Sequence, residues 1–237
     1  MRIRVVLVGI EGTVNLGVIA RTCANFGVKE LYLVNPVASV EEALTYSAGG
    51  RDLLANAKIV NDLAVALEGV DVSVATSAIG YSEGDILRQA LPIEDFVDKV
   101  LTRVSSVALV FGRESTGLTR DEIKMADFLV TIPADPAYPV LNISQSVAIF
   151  LWEIWKKRGA APSNIPPRAT KESLSEILDA LEDISSRIFS TRDKMEKSMV
   201  LWRRILSRAS LSAYEARFLK YWVMRVRKRV LDASREL

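Results

Sequence analysis

The stretch Leu109-Val110-Phe111-Gly112-Arg113-Glu114-Ser115-Thr116-Gly117-Leu118 changes character at a single residue. Up to Phe111 it continues an unbroken apolar run from Val107, as expected of a strand buried on both faces. From Gly112 it is polar, two glycines bracketing an arginine, a glutamate and two hydroxyls. Directly after it, Thr119 and Glu122 have capping-box spacing and open a short helix. Strand, polar loop and helix thus follow within about fifteen residues, and the pattern recurs along the first 158. Strands are predicted over 3–8, 30–34, 70–76, 107–111 and 128–132. Helices are predicted over 15–26 and 61–68, ended by Gly27 and Gly69, and over 93–103 and 143–158. Val- and Leu-rich strands alternating with helices make an α/β fold with a mostly parallel sheet covered on both faces. Ligands of such sheets bind beyond the carboxyl ends of the strands. That rule singles out four loops: residues 9–15, 76–80, 112–118 and 133–142.

None of these loops is a standard nucleotide motif. Gly9, Gly12 and Gly17 have the wrong spacing for a dinucleotide fingerprint, and no Gly-Lys-Ser/Thr is present for a P-loop. Composition narrows the chemistry further. The 237 residues include no histidine, which excludes Ser-His-Asp and Cys-His catalysis and histidine-bound metals. Cys23 is the single cysteine, so neither an internal disulfide nor a thiolate zinc cluster can form, and its expected role is a small apolar residue on a helix face. No metal is expected. The apolar run after Met1 ends at Glu11, too short for a secretory signal, and no run approaches the roughly 18 residues of a membrane span. A soluble cytoplasmic protein is expected.

Taken together, the loops resemble one known constellation. Asn15-Leu16-Gly17-Val18-Ile19-Ala20-Arg21 is similar to the Asn-x-Gly-x-x-x-Arg first motif of the SPOUT methyltransferases that act on ribose. The segment 109–118 resembles their second motif. Ile132-Pro133, with Leu141-Asn142-Ile143-Ser144-Gln145-Ser146-Val147-Ala148, resembles the third. Thr76-Ser77-Ala78 and Asp135-Pro136-Ala137-Tyr138 are closest to the group that methylates nucleotide 32 in the tRNA anticodon loop. The resemblance covers about residues 1–158.

The resemblance implies S-adenosyl-L-methionine as cofactor, tRNA as substrate, a homodimer whose site is completed across the interface, and a C-terminal trefoil knot over roughly residues 107–150. Elementary topology would not have suggested a knot. Ribosomal RNA is the alternative substrate, and a non-catalytic RNA-binding protein the alternative class. By carry-over, Arg21, Asn15, Glu114 and Asn142 are the catalytic candidates. Thr76, Ser77, Ala78, Gly112, Ile132, Pro139, Val140 and Leu141 are the cofactor-binding ones, with Ile132, Leu141 and Ile143 walling the adenine. Arg21 and Arg113 are expected to meet RNA. A guanidinium stays protonated, so stabilising a developing alkoxide suits Arg21 better than removing a proton. Glu114 can orient Arg21 or a hydroxyl, and glycines at 112 and 117 can admit a flat adenosine. Blander roles stand beside these: Asn15 and Asn142 as helix caps, Gly112 and Gly117 as turn residues, Glu114 in a surface ion pair.

The net charge of +2 conceals a division. Residues 1–170 hold 16 Lys/Arg against 19 Asp/Glu, whereas residues 171–237 hold 15 against 10. Between the two parts, residues 159–169 contain three prolines and no periodicity, a linker by composition. Beyond it, Leu174, Ile177, Leu178, Leu181, Ile184 and Ile188 form one helical stripe, and Ser212 with Glu215 forms a second capping box. Residues 170–237 are therefore expected to make a small bundle of three helices. Arg203, Arg204, Arg225, Arg227 and Lys228 are its RNA-binding candidates, with Trp202, Tyr214, Tyr221 and Trp222 as stacking surfaces. A plain solvated face, or aromatics serving core or dimer, is the alternative.

Overall fold

A computed structural model describes residues 1–101, 104–157 and 165–233. The expected helix end at Arg103, Arg158, the first six linker residues 159–164, and residues 234–237 lie outside them. The chain divides into two compact units, Met1–Ala160 and Ala161–Leu237.

The first unit is built on a seven-stranded sheet: β1 (Arg2–Val8), β2 (Glu30–Val34), β3 (Lys58–Val60), β4 (Val72–Thr76), β5 (Leu91–Pro92), β6 (Ser106–Phe111) and β7 (Phe128–Thr131). Its order is β3-β2-β1-β6-β4-β7-β5, and every pairing between these strands is parallel. The helices are α1 (Thr13–Asn25), α2 (Val40–Ala43), α3 (Arg51–Ala55), α4 (Leu63–Leu67), α5 (Ile93–Lys99), α6 (Arg120–Lys124) and α7 (Ile143–Lys157). β1 and β6 are apolar and buried along nearly their whole length because both faces are covered. Side chains alternate between two cores. Val5, Leu7 and Leu109 face the layer of α1, α5 and α7, while Val6, Val8 and Val110 face that of α4 and α6. Phe111 closes the first core edge-on against Phe150 of α7, the ring centroids 5.5 Å apart. Cys23 lies in that core, where burial pushes its thiol up to about 12 and leaves it unreactive.

Strands β3 and β5 and the short helices α2 and α3 are additions to the predicted pattern. The expected helix over 15–26 begins two residues earlier, and Gly12 rather than Asn15 stands at its N-cap. The capping role considered for Asn15 is thereby removed. Thr119 and Glu122 form both bonds of the capping box on α6. Arg4, at 5 % exposure, is a buried charge with no motif to announce it. It donates to Glu30 Oε2 at 2.6 Å and to the carbonyls of Ala66 and Glu68, with Tyr32 beneath its guanidinium.

The strand order places the loops. β6 fills the position between β1 and β4, and β7 lies beyond β4. The registers Leu7↔Phe111, Ala75↔Val110 and Thr76↔Val130 bring the loops after β1, β4, β6 and β7 out side by side at one edge. Residues 107–150, where the resemblance places the knot, supply β6, α6, β7 and the first half of α7 to this arrangement.

The second unit contains α8 (Lys171–Ile188), α9 (Arg192–Ala209) and α10 (Ala213–Ala233). Ile177, Ala180, Leu181 and Ile184 of α8 pack with Leu206, Ala216 and Val223. Ile188 does not complete the predicted stripe, being 61 % exposed at the helix end. Ser212 and Glu215 make their reciprocal bonds at 2.7 and 3.2 Å and fix the start of α10. Among the described residues, no helix is long and apolar enough to cross a membrane.

Candidate active site

A cleft of about 540 Å³ opens at the carboxyl edge of the sheet. All eight residues expected to hold a cofactor line it: Thr76, Ser77 and Ala78 after β4, Gly112 after β6, Ile132 after β7, and Pro139, Val140 and Leu141 before α7. Ile132, Leu141, Ile143, Leu118 and Phe111 give it apolar walls, and loop backbone supplies polar edges. This mixture, at this volume, suits a small ligand with a flat apolar part and a few polar groups. The residues present therefore fit an adenosine-bearing cofactor.

Gly112 earns its place differently from expectation. A Cβ there would lie 2.2 Å from the carbonyl carbon of Gly117 and 2.3 Å from the nitrogen of Leu118. The close approach that it permits is to its own loop, whose ends pair through Arg113 and Gly117 backbone bonds. Gly17 acts similarly on α1, where a Cβ would meet the Ala43 carbonyl oxygen at 2.5 Å.

The three motif segments are joined by one chain of hydrogen bonds. Asn142 donates through Nδ2 to Asn15 Oδ1 at 3.2 Å, and Asn15 donates through Nδ2 to Glu114 Oε1 at 2.9 Å. Asn142 also caps α7, its Oδ1 accepting from the Ser144 amide and hydroxyl at 2.8 and 2.7 Å. Capping and site contact thus coexist in one side chain. Glu114 further accepts from the backbone N–H groups of Glu11 and Gly12. Burial alone would push its carboxyl up, but Asn15 and these backbone donors outweigh burial and hold it below the usual glutamate range. Glu114 is therefore an ionised acceptor whose oxygens are engaged by Asn15 and the 11–12 backbone. Within one copy of the chain, Arg21 is not among the groups bonded to Glu114.

Arg113 is likewise engaged. Its guanidinium forks onto Glu122 at 3.0 and 3.1 Å, tying the 112–118 loop to α6. An RNA phosphate would have to displace that carboxylate. Arg21 is exposed on α1 and does not line the cleft; it stands six positions after Asn15 on the helix. It shares an outward stripe with the exposed Val14 and Val18. Arg88 was missed by sequence reasoning. It lines the cleft and donates to Ser77 Oγ at 2.7 Å and the Ile79 carbonyl at 3.2 Å. It belongs to no motif; its only signal is a basic residue in the irregular segment after β4.

In the helical unit, Arg203, Arg204, Arg225 and Lys228 are exposed. Arg227 is not available in the expected way, since it is half-buried and pairs with Asp183, fastening α10 to α8. Trp202 packs against the bundle core. Tyr214, Phe218, Tyr221, Arg225 and Lys228 recur at three- and four-residue spacing and form one outer face of α10, with Arg225 5.2 Å over Tyr221.

The fold and this constellation define a methylase of the SpoU type. The chain belongs to the SpoU rRNA methylase family, whose model matches residues 2–152. It is 40 % identical over 207 residues to the tRNA (cytidine-2′-O-)-methyltransferase TrmJ of Sulfolobus acidocaldarius, covering 87 % of this chain and 85 % of that one. It is 33 % identical to the tRNA (cytidine/uridine-2′-O-)-methyltransferase TrmJ of Yersinia enterocolitica, covering 95 % and 91 %. Among solved structures it shares its fold with TrmJ from Z. mobilis ZM4, with TM-score 0.65, 22 % identity, and coverage of 96 % and 100 %.

Proposed function

We propose that this chain transfers a methyl group from S-adenosyl-L-methionine to a ribose 2′-hydroxyl of tRNA, at nucleotide 32 of the anticodon loop, with cytidine as the first candidate base. Family membership and the curated relatives support tRNA 2′-O-methylation. The observation that carries the reading is the Asn142–Asn15–Glu114 chain, which gathers three separated motif segments at the rim of one cleft.

When bound, the cofactor supplies an electrophilic methyl on a sulfonium. The protein's part is then positioning and electrostatics. Ile132, Leu141 and Ile143 would wall the cofactor's adenine and keep water from it. The Glu114 carboxylate and the Asn142 amide lock the Asn15 side chain in one orientation, so its carboxamide presents a fixed edge to the nucleotide. No histidine exists to shuttle a proton, and Glu114 is held in its anionic form by its donors. Arg21 is the group suited to stabilise charge on the 2′-oxygen as its proton leaves to solvent. Because Arg21 does not face this copy's cleft, and shares its stripe with exposed Val14 and Val18, the reading includes a homodimer in which Arg21 of a second copy completes the site. The outer face of α10, with Arg203 and Arg204 of α9, provides the RNA-binding extension through charge and stacking.

The test is nucleoside mass spectrometry of unmodified tRNA incubated with the protein and labelled cofactor. The expected product is a single ribose-methylated nucleoside at position 32. Labelling of ribosomal RNA alone would move the substrate. Binding of tRNA with no label transfer would make this a silent RNA-binding member.

A further inference from the structure

Three charged side chains line the cleft, and two of them have both terminal atoms of the charged group engaged by neighbours. Arg113 forks onto Glu122, and Glu114 is engaged by Asn15 and the backbone N–H groups of Glu11 and Gly12. Arg88 is the exception. Its two bonds both leave from Nη1 and end on uncharged oxygens, those of Ser77 and Ile79. The carboxylate nearest in sequence, Asp85, is forked onto Arg120 at 2.5 and 3.1 Å and feels the Arg88 charge only as a lesser influence, without an ion pair. Among the described residues Arg88 has no ion pair, although it is only partly exposed and faces a ligand-sized cavity. A guanidinium so placed has a planar edge free for a bidentate anion, and partial desolvation strengthens that contact.

We propose that Arg88 is the carboxylate clamp of this cleft, gripping the amino-acid end of the bound cofactor. The inference rests on the cofactor reading above. Two placements favour a small-molecule carboxylate over an RNA phosphate. Arg88 is anchored to the 76–79 loop, which is itself a wall of the cleft, and not to the outer rim. The segment that carries it is folded back on that wall by the Tyr81↔Gln89 bridge and the Ala90 N–H bond to the Gly80 carbonyl. Arg88 therefore both pins the loop and offers its free nitrogens inward.

Calorimetric titration of the full chain with two ligands separates these roles. S-adenosylhomocysteine carries the carboxylate; 5′-methylthioadenosine has the same adenosine and sulfur without it. Arg88→Ala is expected to weaken S-adenosylhomocysteine by roughly 10- to 100-fold and leave methylthioadenosine within about twofold. Arg88→Lys is expected to fall between, keeping the charge and losing the fork. Equal weakening of both ligands would overturn the clamp and leave Arg88 as a loop pin. Unchanged S-adenosylhomocysteine affinity with weakened tRNA binding would overturn it in favour of a phosphate contact. If the wild-type chain bound neither ligand, the cofactor reading itself would fall, and the clamp with it.

Discussion

The two units treat their charges in opposite ways. In the α/β unit charged groups are engaged with one another or with backbone, both away from the cleft, as Arg4 with Glu30, and at it, as Arg113 with Glu122 and Glu114 with Asn15 and two amides. In the helical unit Arg203, Arg204, Arg225 and Lys228 stand on exposed faces, and ion pairs such as Asp193–Lys197 are themselves solvated. Engaged charges hold a geometry, whereas exposed ones attract a polyanion from a distance. On the function proposed above, one unit would serve placement and the other capture.

Arg21 is the test case, because it is an exposed charge within the unit of engaged ones. Arg21→Ala is expected to lower turnover by about 10²- to 10³-fold while cofactor affinity, read by calorimetry, stays unchanged. Loss of both would show that Arg21 maintains structure and would return it to the pattern of its neighbours. The next effect is on stability. Glu30→Ala leaves Arg4 buried without its carboxylate, and is expected to cost about 2 kcal/mol in urea unfolding, somewhat below a fully buried pair because Glu30 is partly exposed. Asp193→Ala in α9 breaks an exposed i,i+4 pair and is expected to cost less than about 0.5 kcal/mol. Similar values for the two would break the contrast.

Replacing Arg203, Arg204, Arg225 and Lys228 together by alanine is expected to weaken tRNA binding about tenfold at physiological salt. The salt slope should fall by roughly two to four, as counterion release at that many contacts is lost, and cofactor affinity should not move. An unchanged slope would make these residues a merely solvated face. The smallest effect concerns pH. The Glu114 carboxyl is held below its ordinary range, so its contribution is full above the normal glutamate value of about 4.3 and is lost as pH falls through the lower folded value. The gap in urea midpoint between wild type and Glu114→Gln should thus be widest near neutrality and shrink below about pH 4. A constant gap would mean that charge on Glu114 contributes nothing.

Much of the α/β framework was legible because its strands are apolar runs of four or more residues between clear breakers. Lys58–Val60 and Leu91–Pro92 are too short for any periodicity, and Lys58 and Ile59 are exposed at the sheet edge, so sequence carried no burial signal for β3. Asn15, Glu114 and Asn142 were legible as motif members, but their joining was not. Nothing local states that Glu114 bonds to Asn15, 99 residues away, or that Arg113 turns to Glu122 and not outward. Arg227 illustrates the reverse problem. Within a basic run it reads like its neighbours, and only the placement of Asp183 on α8 sets it apart. Arg88 was invisible because its meaning lies in what its surroundings leave unpaired.

The bond between Asn142 and Asn15 spans 127 residues of chain. During synthesis, β1 and α1 leave the ribosome long before the segment that completes their site. Nascent chains that have not yet delivered Asn142 can form the early strands but hold Asn15 only from one side. Competence for the reaction should accordingly arise as a late, single event in folding, set by the slow closure of distant contacts rather than by the quick formation of helices.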